Sequence, residues 1–234
     1  MIRNAALTLI SLAFCALALW ILSGGDASDR MVGAGCLLFF GGCALVGAAL
    51  LISDWRKARG LVPPSADRPT LFRFDPWFHA AFGFAGWGMT AGSVLFALQE
   101  ATLWIAAGPA LILFGLGGGA LLARALDRAP VLRIDADGVF DRRLMAAPAP
   151  WAKIKAVGFP SIGPVQHLEL AVSNAPSYRK WRNGVFGWLG RSSLTADTIM
   201  IPFQGLDRPL AVALAAIGSH KPDILILADF SVEE

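Results

Sequence analysis

The densest concentration of chemically competent side chains lies between residues 178 and 191. There Arg179, Lys180, Arg182 and Arg191 alternate with Tyr178, Trp181, Phe186, Trp188 and Leu189. No acidic residue occurs between Glu169 and Asp197. Cations interleaved with indoles suit an anionic membrane surface, where each basic group contributes on the order of 1 kcal/mol and aromatic rings enter the headgroup layer. Gly184, Gly187 and Gly190 predict an open loop rather than a rigid amphipathic helix. Three roles compete for it: contact with anionic lipid headgroups, a surface for a protein partner, and a plain connection between strands. Basic and stacking side chains could also hold RNA. The net charge is only +3 and no RNA-binding signature accompanies the loop, so no nucleic-acid partner is expected.

Other residue patterns that could do chemistry dissolve on inspection. Ser177 and Lys180 have the spacing of an SxxK hydrolase, but its companion SDN and KTG elements are missing. HExxH, Walker A and nucleophile-elbow motifs are absent. His167 and His220 stand alone, and His79, a turn from Asp75, is expected to be an interfacial anchor rather than a proton relay. Cys15, Cys36 and Cys43 all fall in apolar runs, without the further ligands that zinc or an iron-sulfur cluster requires. Gly115-x-Gly117-x-x-Ala120 imitates a nucleotide fingerprint inside an apolar run that no strand precedes. No catalytic residue, cofactor or metal site is therefore expected.

The elements that carry these residues divide the chain in two. Of 234 residues 56% are hydrophobic and 16% charged, against roughly 25% charged in soluble domains. Residues 5–22, 31–52, 77–98 and 102–123 each approach the roughly 20 apolar residues that cross a bilayer as helix. Short turns join the first to the second and the third to the fourth, predicting two antiparallel hairpins linked by residues 53–76. That link carries Arg56, Lys57, Arg59, Arg68 and Arg73, and Arg124, Arg128 and Arg133 follow the fourth run. The opposite turns hold Asp26, Asp29, Arg30 and Glu100. Basic residues stay on the cytoplasmic side, so both termini are expected there. Cleavage of residues 1–25 as a signal peptide is the competing reading, opposed by an overlong apolar run and a poor cleavage site at residues 23–26.

No ionisable group lies well inside the four runs, and Thr8, Ser11, Thr90 and Ser93 can bond their own helices. A coupled transporter or proton channel is thereby disfavoured. Gly88 with Gly92, and Gly115 with Gly119, each form GxxxG, predicting close helix packing, with self-association or contact with another membrane protein as the alternative.

From residue 130 onward the pattern becomes short strands. Residues 131–135 alternate, Asp137-Gly138 supplies a hairpin turn, and residues 139–142 resume. A strand over residues 151–159 has a turn or bulge at its start. Residues 167–172 place Leu168, Leu170 and Val172 inward, and Pro202 marks residues 198–203 as an edge strand. A helix follows, with Asp207 as cap, Pro209 in its opening turn, Leu210, Leu214 and Ile217 on one face, and Gly218 as stop. Residues 224–227 could be a strand or a docked extension.

The strand at residues 130–134, the Asp135-Ala136-Asp137-Gly138-Val139-Phe140 turn, the strand from Trp151 to Val157, Ile199-Met200-Ile201-Pro202-Phe203 and the helix opened by Leu206-Asp207-Arg208-Pro209 together resemble the pleckstrin-homology-like domains of bacterial integral membrane proteins. The resemblance covers residues 130–220 and departs in strand count, roughly five where the complete fold has seven. It implies an α+β domain of antiparallel strands with a C-terminal helix, without catalysis. The expected protein is thus a four-helix membrane domain, residues 1–126, carrying a cytoplasmic PH-like domain, residues 127–234. It would serve as a scaffold, accessory subunit or lipid-responsive adaptor; the alternative is a small transporter or its regulatory subunit.

Overall fold

A computed structural model describes residues 2–59, 64, 67–98, 102, 104–162, 165–178 and 197–227. The chain forms two compact units, residues 1–59 with 74–128, and residues 60–73 with 129–234.

The first unit is helical. α1 (Ile2–Gly24), α2 (Ala27–Arg59) and α3 (Pro76–Ala97) are followed by a fourth span made of α4 (Trp104–Ala110), a π-helical segment (Leu111–Leu116) and α5 (Gly117–Leu126). Among the described residues four helices are long and apolar enough to cross a membrane, which marks a multi-pass membrane protein. Their outward faces stay apolar, with Leu9, Trp20, Ile105 and Leu116 largely exposed, as lipid permits and water does not. α1 packs on α2, α2 on α3, and α3 on the fourth span. The interruption of the fourth span follows Pro109, which can neither donate to the carbonyl a turn earlier nor leave it room. The hydroxyls of Thr8, Thr90 and Ser93 bond the carbonyls of Asn4, Gly86 and Met89 at 2.7, 3.0 and 2.9 Å, so these polar side chains cost the apolar helices little.

The second unit is a mixed sheet domain. Its first sheet runs β1 (Thr70–Phe72), β2 (Leu132–Asp135), β3 (Gly138–Asp141), β4 (Ala149–Pro150), all antiparallel. In the second, β7 (Val165–Val172) pairs antiparallel with β5 (Ile154–Gly158), β6 (Ser161–Ile162) and β8 (Thr198–Pro202), while β9 (Leu225–Leu227) runs parallel to β5. A four-residue helix α6 (Ala175–Tyr178) follows β7, and α7 (Leu210–His220) packs on β2 and β7. The core draws on both sheets and α7: Leu132, Ile134, Val139, Leu168, Ile201 and Ile217 are all fully buried.

Several strands follow directly from the sequence. Leu168, Leu170 and Val172 point inward together because a strand alternates every residue. Gly138, at φ 142°, opens β3 where a Cβ would strike the Ala149 carbonyl. A 3₁₀ turn at Trp151–Lys153 precedes β5, whose register against β7 shifts between Ile154 and Ala156. Residues 224–227, left open between strand and extension, supply β9.

Three expectations change. Nine strands occur among the described residues, where roughly five were expected. One of them, β1, belongs to the link between the second and third helices, and Phe72 within it is fully buried against Phe203, ring centroids 5.6 Å apart. Asp207 does not cap α7, whose N-cap is Pro209 without a side-chain bond. Its carboxylate instead accepts the Arg73 N–H at 2.9 Å, while its own N–H donates to the Arg73 carbonyl at 2.9 Å. α7 also continues past Gly218 to His220.

Candidate functional site

Main-chain hydrogen bonds hold the chain on both sides of the basic aromatic segment. β7 ends at Val172, Asn174 turns the chain with φ 60°, and α6 carries it to Tyr178, whose carbonyl accepts the Ala146 N–H at 2.8 Å. On the return, the Asp197 carbonyl accepts the Val172 N–H at 2.9 Å before β8 begins. The segment thus departs from and rejoins two paired neighbours, β7 and β8, and Ala175 at its root is fully buried. Arg179, Lys180, Trp181, Arg182, Phe186, Trp188 and Arg191 lie outside the described residues.

The packing glycines divide. A Cβ on Gly88 would come within 2.9 Å of the Leu38 carbonyl oxygen, and one on Gly92 within 3.2 Å of the Gly35 oxygen. Both mark close approach of α3 to α2, the geometry that small residues permit. A Cβ on Gly115 would make only ordinary contact, 3.6 Å from the Thr90 hydroxyl, and one on Gly119 would meet nothing within 4 Å. Gly118 takes the close position instead: a Cβ there would come within 2.9 Å of the Gly83 carbonyl oxygen. Gly115 and Gly118, three residues apart, are the buried glycines of this span, so its inner face follows the i to i+3 spacing here.

A polar cluster secures the start of α3. The Asp75 carboxylate accepts the N–H groups of Trp77 and Phe78 at 3.0 and 3.3 Å and the Ser53 hydroxyl, so one side chain caps α3 and ties it to α2. His79, expected at the interface, is buried instead. Its Nδ1 lies 2.9 Å from the Asp75 carbonyl oxygen, and its ring sits edge-on to Phe74 and Phe78 at 4.8 and 5.3 Å. Arg124 lies over Phe74 and Arg56 over Trp77, at 5.7 and 5.9 Å. Nothing in the spacing of Ser53 and Asp75 signals this bond.

In the second unit, Arg143 closes on the fully buried Asp141 with Nε to both carboxylate oxygens at 3.1 Å and Nη2 at 2.6 Å. The same Nη2 donates to the Pro202 carbonyl at 3.0 Å. This bidentate pair joins the end of β3 to β8, bracing the two sheets. His167 Nδ1 sits 3.1 Å from the Val165 carbonyl oxygen, and His220 stacks beside Trp151 at 6.3 Å. Among the described residues no group of three or more His, Cys, Asp or Glu gathers at metal-binding range. Comparison with protein-family models, characterised proteins and solved structures finds no match to this chain.

Proposed function

We propose that this protein is a membrane-anchored adaptor of a bacterial inner membrane, with both termini cytoplasmic and a PH-like domain that presents a basic aromatic loop to anionic lipid headgroups. The observation that carries this reading is the composition of residues 179–191, four cations with two indoles and no acidic residue, in the connection between the paired strands β7 and β8. Two largely antiparallel sheets with a helix near the C-terminus support the PH-like assignment; the parallel β9 and the strand borrowed from the helical link are this chain's own departures. Because the helices already tether the domain, at an effective concentration that can be millimolar, lipid contact serves to orient the domain or sense composition rather than to recruit it. Another membrane protein, or a second copy, is the further partner such an adaptor would join.

The test places a fluorescent probe at Phe186→Cys in a full chain whose Cys15, Cys36 and Cys43 are replaced by Ala. In phosphatidylcholine vesicles containing phosphatidylglycerol the probe is expected to shift toward an apolar environment, and Arg179, Lys180 and Arg182→Ala together should abolish the shift. An identical probe spectrum in purely zwitterionic vesicles would overturn the reading.

A further inference from the structure

The helical unit contains a groove that its own packing leaves unfilled. α1 packs on α2 and the fourth span on α3, and between these two outer helices lies a half-open cavity of about 450 Å³, within the range of about 300–1,000 Å³ typical of ligand pockets. Its floor is thinned to backbone at Gly47 and Gly86, and one wall is the π-helical segment through Leu113 and Phe114. π-helical turns occur often at functional sites. The lining is apolar along the span apart from Ser11, and Asn4 stands at one end.

Size decides against a helix as occupant. The groove follows the fourth span from Leu113 to Leu121, about 12 Å at about 1.5 Å per residue. A helix that crosses the membrane runs about 30 Å, so the groove would seat little more than two turns of one. A single hydrocarbon chain is thin enough. Charge decides the end at which a headgroup would sit. Asn4 donates to Asp54 at 3.4 Å, and around that end the sequence gathers Arg3, Arg56, Lys57, Arg59, Arg124 and Arg128 against Asp54, Asp75 and Asp127, a basic excess, whereas the opposite turn carries Asp26 and Asp29 against Arg30.

We propose that this groove holds one acyl chain of an anionic glycerophospholipid from the surrounding bilayer, its headgroup at the Asn4 end. The site is separate from the loop of the sheet domain; it rests on the membrane-spanning helices and not on the orientation or on loop contact. Gly117 and Gly119 supply a matched pair of variants. A Cβ on either meets nothing within 4 Å, yet only Gly117 lines the groove. Gly117→Leu therefore plugs it, and Gly119→Leu adds the same bulk elsewhere.

The full chain is reconstituted in vesicles of equal parts phosphatidylcholine and phosphatidylglycerol, extracted in mild detergent, and its retained lipid counted by native mass spectrometry. Parent and Gly119→Leu are expected to keep one phosphatidylglycerol per chain, and Gly117→Leu to lose it at least tenfold. Leu113→Trp fills the same groove from its wall and gives the same result should Gly117→Leu fail to fold. Equal retention of both lipids, retention unchanged in a folded plugged variant, or a lipid-free dimer that the plug dissociates would each overturn the proposal. Arg179, Lys180 and Arg182→Ala leave the retained lipid unchanged, so failure of the loop reading and failure of the groove reading are told apart.

Discussion

At Asp207 a half-buried carboxylate holds a single backbone residue. Burial pushes its pKa up, outweighing the opposing Arg73 N–H bond and the nearby Arg208 charge. A carboxyl whose folded pKa lies above its unfolded one binds more protons when folded, so stability falls as pH rises between the two values. Asp207→Asn keeps an acceptor for the Arg73 N–H and removes the charge. Its melting temperature relative to the parent should therefore climb as pH goes from acid to neutral; a difference that is flat or shrinks with rising pH would refute this account. Asp141 presents the opposite case, a buried charge with its partner in place. Asp141→Ala strands the Arg143 guanidinium and should cost about 3–5 kcal/mol, read from unfolding of the sheet domain. Removing both partners should recover part of that loss, and a double variant no better than the single one would show that the pair is not coupled.

Among the elements, β1 is the least expected and the most consequential. Thr70–Phe72 is a three-residue strand in a basic, proline-bearing link, and three residues are too few for alternation to stand out. Its pairing to β2, from Thr70 opposite Ile134 to Phe72 opposite Leu132, closes an edge that would otherwise lie open. Residues 129–234 produced alone should consequently be unstable or aggregate, and supplying residues 67–73 ahead of them should raise the melting temperature. Phe72→Ala in the full chain should cost about 3–5 kcal/mol, as large buried aromatics do; an unchanged melt would mean that β1 is not part of the folded sheet. β7 was legible for the converse reason: its eight residues repeat the inward alternation several times. The GxxxG of the fourth span misleads because the buried glycines there are Gly115 and Gly118, three residues apart. Gly88→Leu should disrupt the approach to α2 and lower thermal stability in detergent, whereas Gly119→Leu should leave it within error of the parent.

At the scale of the whole chain, the proposed cytoplasmic placement of both termini is open to a direct check. In a cysteine-free chain, Asp29→Cys should react with an impermeant maleimide added outside the cell, and Lys57→Cys only after lysis. The reverse pattern would invert the topology. The sequence by itself determined that four helices can cross a membrane and that strands follow them, because apolar length and alternation are local properties that a single chain segment displays. It also singled out the basic aromatic loop by composition. Only the tertiary structure decided that the helical link donates β1, that Asp207 grips Arg73 rather than capping α7, that Gly118 rather than Gly119 meets α3, and that a groove remains between the first and fourth spans. Each of these depends on which distant segments come together, through bonds and contacts between residues as far apart as Arg73 and Asp207, and no spacing along the chain records such a meeting.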